Sequence, residues 1–152
     1  MAKNWKTNLS PKKYVQRKAR TLKMGKCYIN SNWKEGGLAH VVVTRRHADG
    51  HYTYGVFLVD IWILGTKDCF CNIHYSKLSF QSFLEEMKEG LDQDEEIKEI
   101  SYVLAHNIIY GANAFAEEHG IAPHPDFESS QYLLHEDTED IPLIELEFGL
   151  KE

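Results

Sequence analysis

No stretch of this chain is apolar for long enough to cross a bilayer. Its longest apolar run, residues 56–64, is interrupted by Asp60 and falls far short of the about 20 residues that a spanning helix needs. The same shortage leaves no apolar core for a secretory signal. Cysteine is scarce: Cys27, Cys69 and Cys71 are odd in number, and two of them are one residue apart. That argues against a disulfide framework and for a reducing compartment, so the expected location is the cytoplasm. No Pro/Gly/Ser-rich tract marks a linker or disorder. No Walker A loop, no GxGxxG and no recognisable nucleophile motif is present.

Acid is almost missing from the front of the chain. Residues 1–46 hold 12 of the 17 Lys and Arg and a single acid, Glu35, a net charge of +11. The remaining 106 residues hold 5 bases and 22 acids, a net of −17, which together give the −6 of the whole chain. Such asymmetry implies either an anionic partner for the basic part or pairing between the two halves.

At 152 residues the chain has the length of one domain with one substantial core. Ser10-Pro11 reads as an N-cap with Pro at the first helical position. The helix that follows carries a narrow apolar stripe, Val15, Ala19 and Leu22, within a basic segment of about residues 1–26. Residues 26–30 suit a short strand. Residues 38–45 are rich in β-branched side chains, 48–50 have hairpin-turn chemistry, and 51–64 read as the returning strand. Residues 69–75 suit a third strand. Helices are expected from a Ser79 cap to Gly90 and over 95–119, where Gly120 and Pro123 stop the second. Asp126 can cap a short helix through 134. Residues 141–148 alternate, with Ile144, Leu146 and Phe148 on one face, as a half-buried strand does. The expected fold is α+β: a mainly antiparallel sheet of three to five strands, with helices packed on one face.

Asp60 stands among apolar residues on a strand, where an unpaired charge is costly, so it calls for a cation, a metal or several donors. One reading is a metal-binding or general-base carboxylate at a strand end, with Lys67 and Asp68 in the following turn acting beside it. The other is a structural ion pair with Arg45 or Arg46. His106, on an apolar helix face one turn from Tyr110, is either an assisting residue or a hydrogen-bonded core histidine. Cys69-x-Cys71-x-x-His74 lacks the further ligands of a structural zinc, which leaves small buried thiols.

The segments Gly37-Leu38-Ala39-His40-Val41-Val42-Val43-Thr44-Arg45, Gly55-Val56-Phe57-Leu58-Val59-Asp60, Leu64-Gly65-Thr66-Lys67-Asp68, His106-Asn107-Ile108-Ile109-Tyr110-Gly111-Ala112 and Pro123-His124-Pro125-Asp126-Phe127 together resemble an uncharacterised bacterial protein family. The likeness runs from about Lys18 onward. It implies a bacterial, cytosolic, self-contained domain and adds weight to Asp60, Lys67, Asp68 and His124 as one constellation.

The leading expectation is a non-enzymatic binding protein. It docks RNA, DNA or a ribonucleoprotein through Lys12, Lys13, Arg17, Lys18, Arg20, Lys23, Lys26, Arg45 and Arg46, with no cofactor and no membrane. A first alternative is a metal-dependent hydrolase or nuclease in which Asp60 and Asp68 hold a divalent ion and Lys67 or His106 assists. A second is a protein interaction module using the acidic C-terminal half.

Overall fold

The computed structural model describes residues 5–150. Helix α1 (Pro11–Lys18) starts where Ser10 accepts a hydrogen bond from the Lys13 amide, and its basic last turn suits the helix dipole. Val15 and Ala19 are fully buried beneath it. The chain then enters strand β1 (Lys23–Asn30), a single turn α2 (Trp33–Gly36), and strands β2 (Leu38–Arg46), β3 (Tyr52–Asp60) and β4 (Gly65–Tyr75). Helix α3 (Lys77–Glu89), strand β5 (Ile97–Ile100), helix α4 (Tyr102–Glu118) and the short α5 (Phe127–Ser130) follow. The five strands form one sheet in the order β4-β3-β2-β1-β5, and every neighbouring pair is antiparallel.

The α+β class and the antiparallel sheet agree with the sequence pattern. The β2–β3 ladder runs unbroken from Leu38↔Asp60 to Arg46↔Tyr52. Because side chains alternate across a strand, Val41 and Val43 enter one core while Val42 enters another. The larger core lies under α1, α4 and α5, with Phe57, Val59, Ile108, Ile109 and Leu133 at its centre. The expected one-sided helix layer describes these three helices. Helix α3 instead packs Phe80, Phe83, Leu84 and Met87 against Val42, Tyr54 and Val56 on the reverse face.

Element boundaries shift for identifiable reasons. The first long helix begins at Lys77 because Ser76, not Ser79, is its cap. The next begins at Tyr102, capped by Ser101, since residues 97–100 pair with β1 as an edge strand. The return strand stops at Asp60, where a turn intervenes before β4. Residues 144–148 do alternate in burial, yet they join no sheet. This extended segment lies along α4: Asn107 Nδ2 donates to the Pro142 carbonyl and Asn107 Oδ1 accepts from the Ile144 amide. Gly111 leaves room there for Phe148, whose ring a Cβ would approach to 2.6 Å. Among the described residues no helix is long and apolar enough to cross a membrane.

Candidate functional site

The four residues nominated as catalytic fall into separate networks. Asp60 Oδ1 accepts hydrogen bonds from the Trp62 and Ile63 amides at 2.8 and 3.2 Å, so its carboxylate caps the turn that ends β3. Those amides meet its need for donors, without Arg45 or Arg46. Lys67 is exposed at a register shift between β3 and β4. The His40 pKa lies below its ordinary value, chiefly through burial; Glu95 opposes the shift and Lys67 adds to it. His106 is buried in α4. Its Nδ1 lies 2.7 Å from the Tyr102 hydroxyl and its Nε2 3.0 Å from Asp137 Oδ1. Tyr102 Oη also accepts from the His135 amide. The chain of bonds fastens the loop after α5 to α4.

Asp68 does meet a partner. The His124 amide donates to the Thr66 carbonyl at the free edge of β4, which brings His124 Nε2 to 4.0 Å from Asp68 Oδ1. His124 Nδ1 accepts from the Asp126 amide. Donor atoms of Asp68, His124 and Asp126 all lie within 4.8 Å of one another. An ammonium is already there: Lys12 Nζ is 2.7 Å from Asp126 Oδ1 and holds that carboxyl below its usual range. Asp126 gives α5 no side-chain capping bond, because its own backbone is helical (φ −66°, ψ −14°) where that of a cap is extended. Burial pushes the neighbouring Cys69 thiol up to about 11 and raises Cys71 as well, so both stay protonated.

The basic residues divide into tied and untied. Lys12 pairs with Asp126, Lys26 with Glu99 at 3.5 Å, and Arg20 with Glu136 at 3.6 Å. Arg20 also donates to the Leu134 carbonyl and stacks over Tyr132. Arg46 lies over the Tyr52 ring. Arg45 leaves the basic surface altogether: it is 2% exposed, with Nε on the Leu133 carbonyl and Nη1 on the Leu22 carbonyl. Its Nη2 has no hydrogen-bond partner, and burial lowers its pKa. Lys13, Arg17, Lys18 and Lys23 are exposed, and among the described residues no carboxylate pairs with them. Lys13 and Arg17 are one helical turn apart, and Lys23 sits across the ladder from Arg46.

A further group was not singled out from sequence. His47, Asp49 and His51 surround the β2–β3 turn, and His74 reaches them from the end of β4. Their signal is the spacing His47-x-Asp49-x-His51, three ligand-type residues on one tight turn. Asp49 Oδ2 is 2.7 Å from His74 Nε2, and Oδ1 is 3.3 Å from His51 Nδ1. The His51 amide and His74 together hold the Asp49 carboxyl down to about 2. Elsewhere, a cleft of about 750 Å³ between α2, the β3–β4 turn and the C-terminal segment is walled by Trp33 and Trp62, with Glu35 and Glu145 at its rim. Asp60 thus shapes the turn that presents Trp62. No family model, curated protein or solved structure matches the chain, and the likeness drawn from its motifs brings no activity to it.

Proposed function

We propose that the protein is a non-enzymatic binder of an anionic macromolecule, RNA, DNA or a ribonucleoprotein, through the exposed face of α1 and the start of β1. One observation carries this reading: Lys13, Arg17, Lys18 and Lys23 are solvent-exposed without a carboxylate partner among the described residues. Surface cations left unpaired need break no ion pair to meet a new partner, and they attract phosphates by releasing condensed counterions. Arg46, stacked on Tyr52 beside Lys23, extends the strip. Arg45 plays no part, and Lys12, Arg20 and Lys26 contribute less because each already has an acid beside it.

The test is fluorescence anisotropy with a single-stranded RNA and a duplex DNA over a range of salt. Affinity is expected to fall steeply as salt rises. The variant Lys13→Glu/Arg17→Glu/Lys18→Glu should flatten the log–log slope by roughly 2–3. Binding that ignores both salt and these substitutions overturns the proposal.

The metal-dependent hydrolase is a second reading. The sequence centres it on Asp60 and Asp68, but Asp60 caps its own turn and His106 lies in another network. What favours the reading is the meeting of Asp68 with His124 and Asp126, and the ammonium of Lys12 on Asp126 weakens it. It requires divalent-dependent cleavage of a phosphodiester that Asp68→Asn abolishes.

A further inference from the structure

The β2–β3 turn and the end of β4 build a second donor group, unlike that around His124. Asp49, His51 and His74 each offer one ligand atom, and these atoms lie within 4.8 Å of one another. No ammonium or guanidinium contacts Asp49 among the described residues; its neighbours are the two imidazoles.

His74 is delivered by a local backbone feature. It lies at a register shift between Tyr52 and Tyr54 and has φ 53°, the one positive φ outside glycine among the described residues. Its amide donates to Thr53 Oγ1 at 3.0 Å. Bulges of this kind re-aim a side chain, and here the imidazole turns toward the hairpin tip. Trp5 then stacks on one face of the ring, centroids 4.3 Å apart and planes within 4°. His51 stacks on the other at 4.1 Å and 8°. His47 meets the His74 ring edge-on at 4.8 Å, with its own Nε2 engaged by Thr53 Oγ1 at 2.7 Å.

We infer that Asp49, His51 and His74 form a binding site for a divalent transition-metal ion of the zinc, cobalt or nickel type. Two imidazoles and one carboxylate suit these borderline ions, whereas calcium asks for six to eight oxygens and magnesium for a near-ideal octahedron. Three protein ligands leave coordination positions open to water. Donors bound at about 2.0–2.2 Å to one ion lie roughly 3 Å apart. Asp49 reaches His74 through Oδ2 at 2.7 Å and His51 through Oδ1 at 3.3 Å. The three ligand atoms lie within 4.8 Å of one another and have to draw together.

One rearrangement is required. An imidazole lone pair lies in the ring plane, so two parallel stacked rings cannot both point at one ion. His74 is clamped between two rings and its side chain is 11% exposed, while His51 is the outer ring at 37%. His51 therefore turns out of the stack when the ion binds, and His74 and Asp49 stay where they are. His47, fixed on Thr53, supports the His74 ring from the side.

The test uses the full chain and the metals themselves. Isothermal titration with Zn²⁺, Co²⁺ and Ni²⁺ is expected to give one transition-metal site that Ca²⁺ does not fill. Co²⁺ should partly quench tryptophan emission, because Trp5 stacks on a ligand, and Trp5→Phe should remove that share. His51→Ala and Asp49→Asn should each weaken the site at least tenfold, while Asp68→Asn leaves it unchanged. His51 is partly exposed, so His51→Ala decides the matter if Asp49→Asn fails to fold. No transition-metal binding, equal binding in the His51 and Asp49 variants, or a site lost only with Asp68→Asn overturns the inference. None of these outcomes bears on the salt-dependent binding proposed for α1.

Discussion

Two parts of the basic front of the chain meet opposite fates. On α1, Lys13, Arg17 and Lys18 stand in solvent. On β2, Arg45 is swallowed by the larger core, where two carbonyls and no carboxylate meet its guanidinium. The two are chemically alike and carry the same formal charge. What separates them is the direction each position faces. A helix with a thin apolar stripe turns most of its circumference outward. Arg45 lies on the face of β2 that meets the larger core, whereas Arg46 beside it, at the strand end, stays exposed. Charge counted along a sequence thus measures partner affinity only after the buried cations have been subtracted.

The largest effect expected from this contrast comes from Arg45→Ala, which removes the cation, orphans two carbonyls and leaves a void. It should cost about 3 kcal/mol of stability in urea unfolding, with the RNA affinity of the remaining folded protein unchanged. Arg45→Met keeps the bulk without the charge and should cost less than Arg45→Ala. If Arg45→Ala is neutral, the guanidinium is not a core element and the contrast collapses.

Next comes the reverse case. Lys13→Glu/Arg17→Glu should lower nucleic-acid affinity at least tenfold, about 1.4 kcal/mol, with the urea midpoint essentially unmoved. A variant that unfolds before it loses affinity would put α1 on the same side of the comparison as Arg45.

Imidazoles give the contrast a third, smaller expression, because a buried base of this type can discharge. Desolvation lowers the pKa of buried His47 and half-buried His40 below 6.5. As pH falls through 6.5, the unfolded chain takes up protons that the folded chain refuses. Their contribution to stability is therefore complete above that value and is lost on acidification toward the folded pKa. Urea midpoints at pH 7.5 and 5.5 should show the loss, and His47→Gln should reduce it. A midpoint that rises on acidification would reverse the sign and refute the argument.

The smallest effect belongs to the exposed pair Lys12–Asp126. Lys12→Ala should leave the thermal midpoint unchanged within error, since exposed ion pairs are screened and lose side-chain entropy. A clear drop would show that the junction of α1 with α5 depends on charge and not on the buried Val15 and Ala19.

Some of this was legible in the residues alone. Ser10-Pro11 starts a helix by chemistry that needs no tertiary contact, and the β-branched run after residue 38 becomes the central hairpin. The alternation of Ile144, Leu146 and Phe148 correctly marks a half-buried extended segment. It cannot say that the neighbour is a helix, because alternation reports faces and not partners. Strand β5 is only four residues long, and its apolar ends at Ile97 and Ile100 suit a helix turn as well as a strand. Asp60 invites a catalytic reading because a lone carboxylate among apolar residues looks unpaid, yet two amides immediately downstream satisfy it. Local turn chemistry of that kind is hidden in any reading that extends the strand to residue 64. For the site, Asp68 and His124 were each visible, but their meeting depends on a loop lying against the free edge of β4. His74 was visible only beside Cys69 and Cys71, and its real neighbours, Asp49 and His51, were hidden. Simple strand parity assigns its direction, and the register shift beside it changes that direction.

The segment after residue 141 has a consequence for local opening. It is pinned to α4 by the two bonds of a single side-chain amide, Asn107, and to the β3–β4 turn by the Gly149 amide on the Ile61 carbonyl. No strand ladder holds it, so it can lift away as a unit while every rung of the sheet stays closed. Hydrogen exchange should then find two populations in one molecule: faster exchange at the Ile144 and Gly149 amides that pin this segment, and slower exchange in β2 and β3. The same opening would bare Gly111 and the apolar side of α4, and would widen the tryptophan-walled cleft without disturbing the rest of the core.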